Sequence, residues 1–133
     1  MSNANVTLVQ SLYAAFGRGD IATLVAGCTP DVDWHSGSRP DHYPGFGPRK
    51  GQKAVEEFFQ IVGENNDFSE FSPREFYAAD DKVFVLGHST MTMRKSGKKF
   101  ASDWVHIFTI RSGKVARFRE FLDTAGAAEA WRG

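Results

Sequence analysis

Two short segments constrain this chain more than any others: Lys95-Ser96-Gly97 and Arg111-Ser112-Gly113. Each interrupts a run rich in β-branched and aromatic residues, and each ends in glycine. That pattern predicts a three-residue hairpin loop, a type I turn whose glycine takes the left-handed position. Three antiparallel strands follow: Lys82–Arg94, Lys99–Arg111 and Lys114–Asp123. With three loop residues, Arg94 pairs with Lys98 and Ile110 with Lys114. Counting outward, His88 then faces Trp104, Trp104 faces Glu120, and His106 faces both Leu86 and Phe118. All even positions share one face. That face carries Phe84, Leu86, His88, Thr90, Phe100, Ser102, Trp104, His106, Phe108, Phe118 and Glu120. The alternative is a two-residue second loop, which sets Arg119 beside His106; a glycine in third place favours three. The odd face, with Val83, Val85, Met91, Val105, Ile107, Val115 and Phe121, is also apolar. A sheet apolar on both faces needs cover on both, so helices should cover one and a second subunit the other.

The N-terminal half supplies the helices. Val9, Leu12, Tyr13 and Phe16 recur at helical spacing within Asn5–Arg18. Gly17 and Gly19 end that run, and Asp20 is suited to cap a short helix carrying Ile21, Leu24 and Val25. Asp31–Ser36 reads as a short strand and Gly37–Gly51 as a loop. Gln52–Val62 is a third helix with Val55, Phe58, Phe59 and Val62 on one face; Phe68–Ala79 is an irregular strand, and Thr124–Trp131 a short closing helix. Helices first and a strand meander after them is an α+β pattern. At 133 residues the whole of 1–133 is expected to form a single domain.

Composition narrows function. Sixteen basic and sixteen acidic residues leave a net charge of zero, so no nucleic-acid partner is expected. Met1 to Asn5 carry no secretory signal, and no apolar run is long enough for a membrane span, so neither a membrane nor export is expected and the cytoplasm is the default. Cys28 follows Leu24, Val25 and Ala26 and reads as a buried, inert thiol. Asp33, His35 and His42 do not have the spacing of a metal motif, and neither a metal nor a cofactor is expected. Aromatic residues make up 14% of the chain. Their rings either fill a core or line a cavity. Several of them, Trp104, Phe108 and Phe118 among them, share a face with His88, His106 and Glu120, which favours a cavity wall.

At this point the sequence resembles a known superfamily. Leu12-Tyr13-Ala14-Ala15-Phe16 followed by Gly19-Asp20, Asp31-Val32-Asp33-Trp34, Trp104-Val105-His106-Ile107-Phe108, and Gly113-Lys114-Val115 leading to Phe118–Asp123 are similar to the SnoaL-like, ketosteroid-isomerase-related branch of the nuclear transport factor 2-like fold. The resemblance implies a cone, with a curved antiparallel sheet wrapped over helices, and a homodimer through the sheet's outer face. It also implies roles. In SnoaL-like cyclases and limonene epoxide hydrolases an acid lies seven residues after the turn glycine, which is Glu120 here. His106 falls where ketosteroid isomerases place an acidic hydrogen-bond donor. The Arg and Asp of the epoxide hydrolase triad correspond to His88 and Thr90, and the general base of ketosteroid isomerase falls near Ser36. These replacements depart from both of those mechanisms.

The expectation is a small apolar, oxygenated ligand and acid–base chemistry at a carbonyl. Glu120 would carry the proton and His106 would steady an oxyanion. Trp34, Ser36, Phe46, His88, Thr90, Trp104, Phe108 and Phe118 would line the site, with Phe46 on a rim loop. Burial should raise the pKa of Glu120 toward neutrality, while a charged His106 beside it would pull it down again. Two rivals stand beside this: a non-catalytic ligand-binding protein, and a dimeric interaction module whose cavity is filled by its own rings.

Overall fold

A helix whose apolar residues recur every three or four positions buries one stripe, and that rule places three helices against one sheet. In the computed structural model, residues 3–133 are described; Met1 and Ser2, part of the polar Met1–Asn5 segment considered above, lie outside them. The elements are α1 (Asn3–Gly17), α2 (Ile21–Ala26), β1 (Cys28–Ser36), β2 (Gly47–Lys50), α3 (Gln52–Asn65), β3 (Asn66–Ala79), β4 (Lys82–Met93), β5 (Lys99–Arg111), β6 (Lys114–Phe121) and α4 (Thr124–Arg132). In α1, Val9, Leu12 and Ala15 are buried. The side chain of Asp20 accepts from the Thr23 N–H at 3.1 Å and caps α2. In α3, Val55, Phe58 and Val62 face inward. Asp123 caps α4 by accepting from the Gly126 N–H at 2.9 Å. No helix among the described residues is long and apolar enough to cross a membrane.

The six strands form one curved open sheet in the order β2-β1-β6-β5-β4-β3. Two features depart from expectation. Gly47–Lys50, read as loop, is a strand that pairs antiparallel with β1. The contact between β1 and β6 is parallel, so the sheet is not antiparallel throughout. A parallel partner distant in sequence leaves no local turn signal to read.

The registers correct the face assignment. Between β4 and β5 the loop holds four residues: the Met93 N–H donates to Lys98 O at 2.9 Å and Gly97 N–H to Met93 O at 2.8 Å. Arg94 is drawn out of this ladder. Its N–H donates to Asn65 O, and its guanidinium to Asp67 Oδ1 at 2.6 and 3.0 Å. One extra loop residue inverts β4 relative to the reading above. Gly87 therefore faces Trp104 and Val85 faces His106. Val83, Val85, Ser89, Met91 and Met93 point inward, while Leu86 is exposed and His88 and Thr90 lie on the outer face with it.

The second hairpin has a different correction. Arg111 pairs with Lys114 across Ser112-Gly113, both at positive φ as a tight I′ turn requires. Two pairs later the register shifts: Thr109 faces Arg117 while Ile110 faces Val115, leaving Ala116 as a bulge. Beyond it Phe108 faces Phe118 and His106 faces Glu120. Neither Phe118 nor Arg119 stands opposite His106. The inward parity of Phe118 and Glu120 nevertheless holds, because the bulge offsets the shorter turn.

The core joins Val9, Leu12 and Ala15 to Val32, Val83, Val85, Phe108, Ile110 and Val115. Cys28 is fully buried, and burial pushes its thiol up to about 11. Gly87 sits under Trp104. A Cβ there would collide with the indole ring and come within 2.7 Å of Ser72 O. Gly87→Ala should therefore destabilise the fold by about 1–3 kcal/mol, as overpacked cores do. A denaturant midpoint unchanged from wild type would contradict this packing.

Candidate functional site

Three adjacent strands and one helix build the site. Ser36 on β1 and His106 on β5 both stand opposite Glu120 on β6, one in the parallel register and the other in the antiparallel one. Three polar side chains thus lie in a row across an apolar face. Ser36 Oγ donates to Glu120 Oε1 at 2.5 Å. His106 Nε2 lies 2.8 Å from Glu120 Oε2. From α1, Tyr13 Oη reaches His106 Nδ1 at 2.7 Å. Nε2–H donates to one carboxylate oxygen and Ser36 O–H to the other, while the Tyr13 hydroxyl and Nδ1 share the remaining hydrogen bond.

The surroundings are aromatic. Trp104 stacks on His106 at 3.8 Å between centroids, and Trp34 stacks on Phe118 at 4.0 Å. Trp104 Nε1 donates to Ser89 Oγ at 2.8 Å, which holds the indole in place. Burial disfavours a charged Glu120, but the charge and hydrogen bond of His106 and the hydrogen bond of Ser36 outweigh it. The carboxyl is held below the ordinary glutamate range. Of the two opposing effects expected for this acid, the pull of His106 therefore exceeds the rise from burial, with the Ser36 hydroxyl adding a second donor. Burial first, and the charge of Glu120 second, push the Tyr13 phenol far up, so it stays protonated.

These groups line a cavity of about 110 Å³. Trp34, Ser36, Phe46, Trp104, His106, Phe108, Phe118 and Glu120 all contribute to its wall. His88 and Thr90 do not. His88 Nδ1 lies 2.8 Å from Asp103 Oδ1 and its Nε2 lies 3.3 Å from Thr90 Oγ1, on the far side of the sheet. The inverted register of β4 puts them there. The three metal candidates do not converge either. Asp33 accepts from the Arg119 guanidinium, His35 contacts Ser38 O, and His42 contacts Ser38 and Arg39.

Four polar residues of the cavity, Tyr13, Tyr43, Asn66 and Ser89, were not singled out from the sequence. Tyr13 was visible only as an apolar helix position. Tyr43 sits in the Gly37–Gly51 stretch, buried with Phe46 in a second cluster. Asn66 begins β3 and donates from Nδ2 to Tyr43 Oη at 2.9 Å. Only the helical spacing that turned Tyr13 inward hinted at any of them.

The model of the SnoaL-like domain matches residues 9–118. The chain belongs to the SnoaL-like domain family. Within the wider nuclear transport factor 2-like superfamily, it is similar to a solved NTF2-like protein of Burkholderia xenovorans LB400. The two are 33% identical over 96% of this chain and 95% of that one, with a TM-score of 0.87. An NTF2-like protein of unknown function from Burkholderia pseudomallei K96243 is 26% identical over 98% of each chain, with a TM-score of 0.86. TerC, co-crystallised with polyporic acid, is 28% identical over 98% of this chain and 99% of its own, with a TM-score of 0.85. No curated protein is significantly similar to the chain.

The ionised state of Glu120 has a consequence for stability. A carboxyl whose pKa is depressed on folding stabilises the native state above the unfolded-chain value, about 4.3, and that contribution is lost as pH falls through the folded value. Asp20, Asp31, Asp33, Asp67 and Glu70 are depressed too, so part of any acid limb belongs to them. Glu120→Gln should flatten the decline of Tm below about pH 5 without abolishing it. An unchanged acid limb would show that Glu120 is not held ionised.

Proposed function

We propose that this SnoaL-like protein binds a small apolar, oxygenated molecule in the cavity and performs acid–base chemistry beside its carbonyl group. The observation that carries the reading is an ionised carboxylate, Glu120, in the wall of a largely apolar cavity, with each oxygen held by a donor. Such a group is a base fixed in place. It removes a proton from the carbon next to the carbonyl, the electron pair moves onto the carbonyl oxygen, and the same carboxyl returns the proton to carbon. Isomerisation follows this course, and cyclisation and dehydration share only its first step, removal of the α-proton. That TerC was co-crystallised with polyporic acid supports a ligand-binding role.

The role of His106 is narrower than the sequence suggested. Both ring nitrogens are engaged, by Tyr13 and by Glu120. His106 therefore orients the carboxylate and receives no substrate oxygen in this arrangement. Trp34 Nε1 is buried, lacks a partner, and belongs to a residue of the cavity wall. It is a donor available to a developing oxyanion.

The test is proton exchange in D₂O. Small enolisable aryl ketones should exchange their α-protons faster with the protein present, and Glu120→Gln should slow that exchange by about 10²–10⁴-fold while leaving binding intact. Exchange in the variant at the wild-type rate would remove Glu120 from the chemistry.

The cavity volume favours a second reading. An engineered apolar cavity that takes benzene measures ~150 Å³, so 110 Å³ admits a ring only if a wall residue yields. A chain that keeps its rings packed would act as a dimeric interaction module. In either reading we place a homodimer on the sheet's outer face. Leu86 is 37% and Phe121 57% exposed there, beside a groove of about 270 Å³ that Val105 shares. Light scattering should give twice the chain mass, and the pair Leu86→Glu with Phe121→Glu should halve it. A wild-type monomer at micromolar concentration would rule out this interface.

A further inference from the structure

The cavity has a second polar element besides Glu120 and its partners. Asn66 is 8% exposed, lines the cavity, and leaves Oδ1 buried without a partner. Its Nδ2 donates to Tyr43 Oη, so the Tyr43 oxygen already accepts and its hydrogen remains to be given. Tyr43 lines the same cavity, and burial pushes its phenol up to about 12, with the charge of Glu120 adding to the shift. The phenol therefore stays a donor at neutral pH. Exchanging the oxygen and nitrogen of the amide leaves its NH₂ unpaired instead of its oxygen. In either orientation a buried amide atom lacks its bond, which is costly in an apolar wall.

We propose that Asn66 and Tyr43 form a subsite that reads a hydroxyl group on the ligand. The inference rests on the reading of the cavity as a ligand site. A hydroxyl donates to Asn66 Oδ1 and accepts from Tyr43 O–H, and it can satisfy the flipped amide as well. A methyl group or halogen of the same size leaves the amide atom unpaired. The ligand class is thus a small hydroxylated ring compound, a phenol or cyclic alcohol. Its hydroxyl sits at Asn66 while its carbonyl lies toward Glu120. The subsite sets specificity and takes no part in proton transfer.

The probes are 4′-hydroxyacetophenone and its near-isostere 4′-methylacetophenone, titrated into the full chain by calorimetry. The hydroxy probe should bind about tenfold or more tightly. Asn66→Leu should remove most of that preference, read as the ratio of the two probes' affinities in the same variant. Tyr43→Phe, which keeps the ring and removes one donor, should reduce the preference in part and provides the measurement if Asn66→Leu does not fold. Equal binding of the two probes to wild type overturns the subsite and leaves the cavity reading standing, with a trapped water as the partner of Asn66. A preference that survives both variants also overturns it. Failure of both probes to bind overturns the cavity reading and the subsite together.

Discussion

The parallel pairing of β1 with β6 is the contact on which the rest depends. The hairpins join neighbours in sequence, whereas Ser36 and Glu120 are 84 positions apart. Their pairing places a hydroxyl against one carboxylate oxygen and sets the Gly37 N–H against Glu120 O at 3.1 Å. It also stops β6 from being an edge strand, so Glu120 lies inside the sheet. Without β1, water would hydrate the acid and His106 alone would orient it. With β1, the side chain of Glu120 is only 16% exposed and each oxygen has a fixed donor. An ionised carboxylate is tolerated in such a place only when its oxygens are satisfied.

The aromatic residues serve two purposes that a composition cannot separate. Trp104 stacks on His106 and so restricts the imidazole, while its own N–H is tied to Ser89. Tyr13 packs edge-on to Phe108 and Phe76 and still reaches His106 with its hydroxyl. The rings are therefore packing for the fold and scaffolding for the acid at once. What remains between them is a modest void, whose size depends on how the rings tilt and not on how many there are.

Much of this was legible locally. The spacing of Val9, Leu12 and Phe16, the cap at Asp20, and the inward parity of Trp104, His106, Phe108, Phe118 and Glu120 follow from neighbours in the chain. The failures have one cause, long-range competition for backbone groups. Arg94 leaves its hairpin because Asn65 and Asp67 bind it, and that moves His88 and Thr90 to the outer face. The strand at Gly47–Lys50 exists because β1 offers it an edge. Tyr13, Tyr43 and Asn66 escaped notice because each polar atom finds its partner, or lacks one, only after the chain has closed. For Glu120 both opposing effects, burial and the pull of His106, are legible in the sequence; their balance is not, because it includes the Ser36 hydroxyl, which reaches the carboxylate only across the β1–β6 pairing.

The bulge at Ala116 separates two things that usually move together in a hairpin. Ordinarily the turn dictates which residues face each other along the whole ribbon. Here the slack residue absorbs the turn's register, and β1 on the other side of β6 sets the position of the acid. The tip of this hairpin is free to gain, lose or exchange residues over evolutionary time while His106 and Glu120 stay opposed.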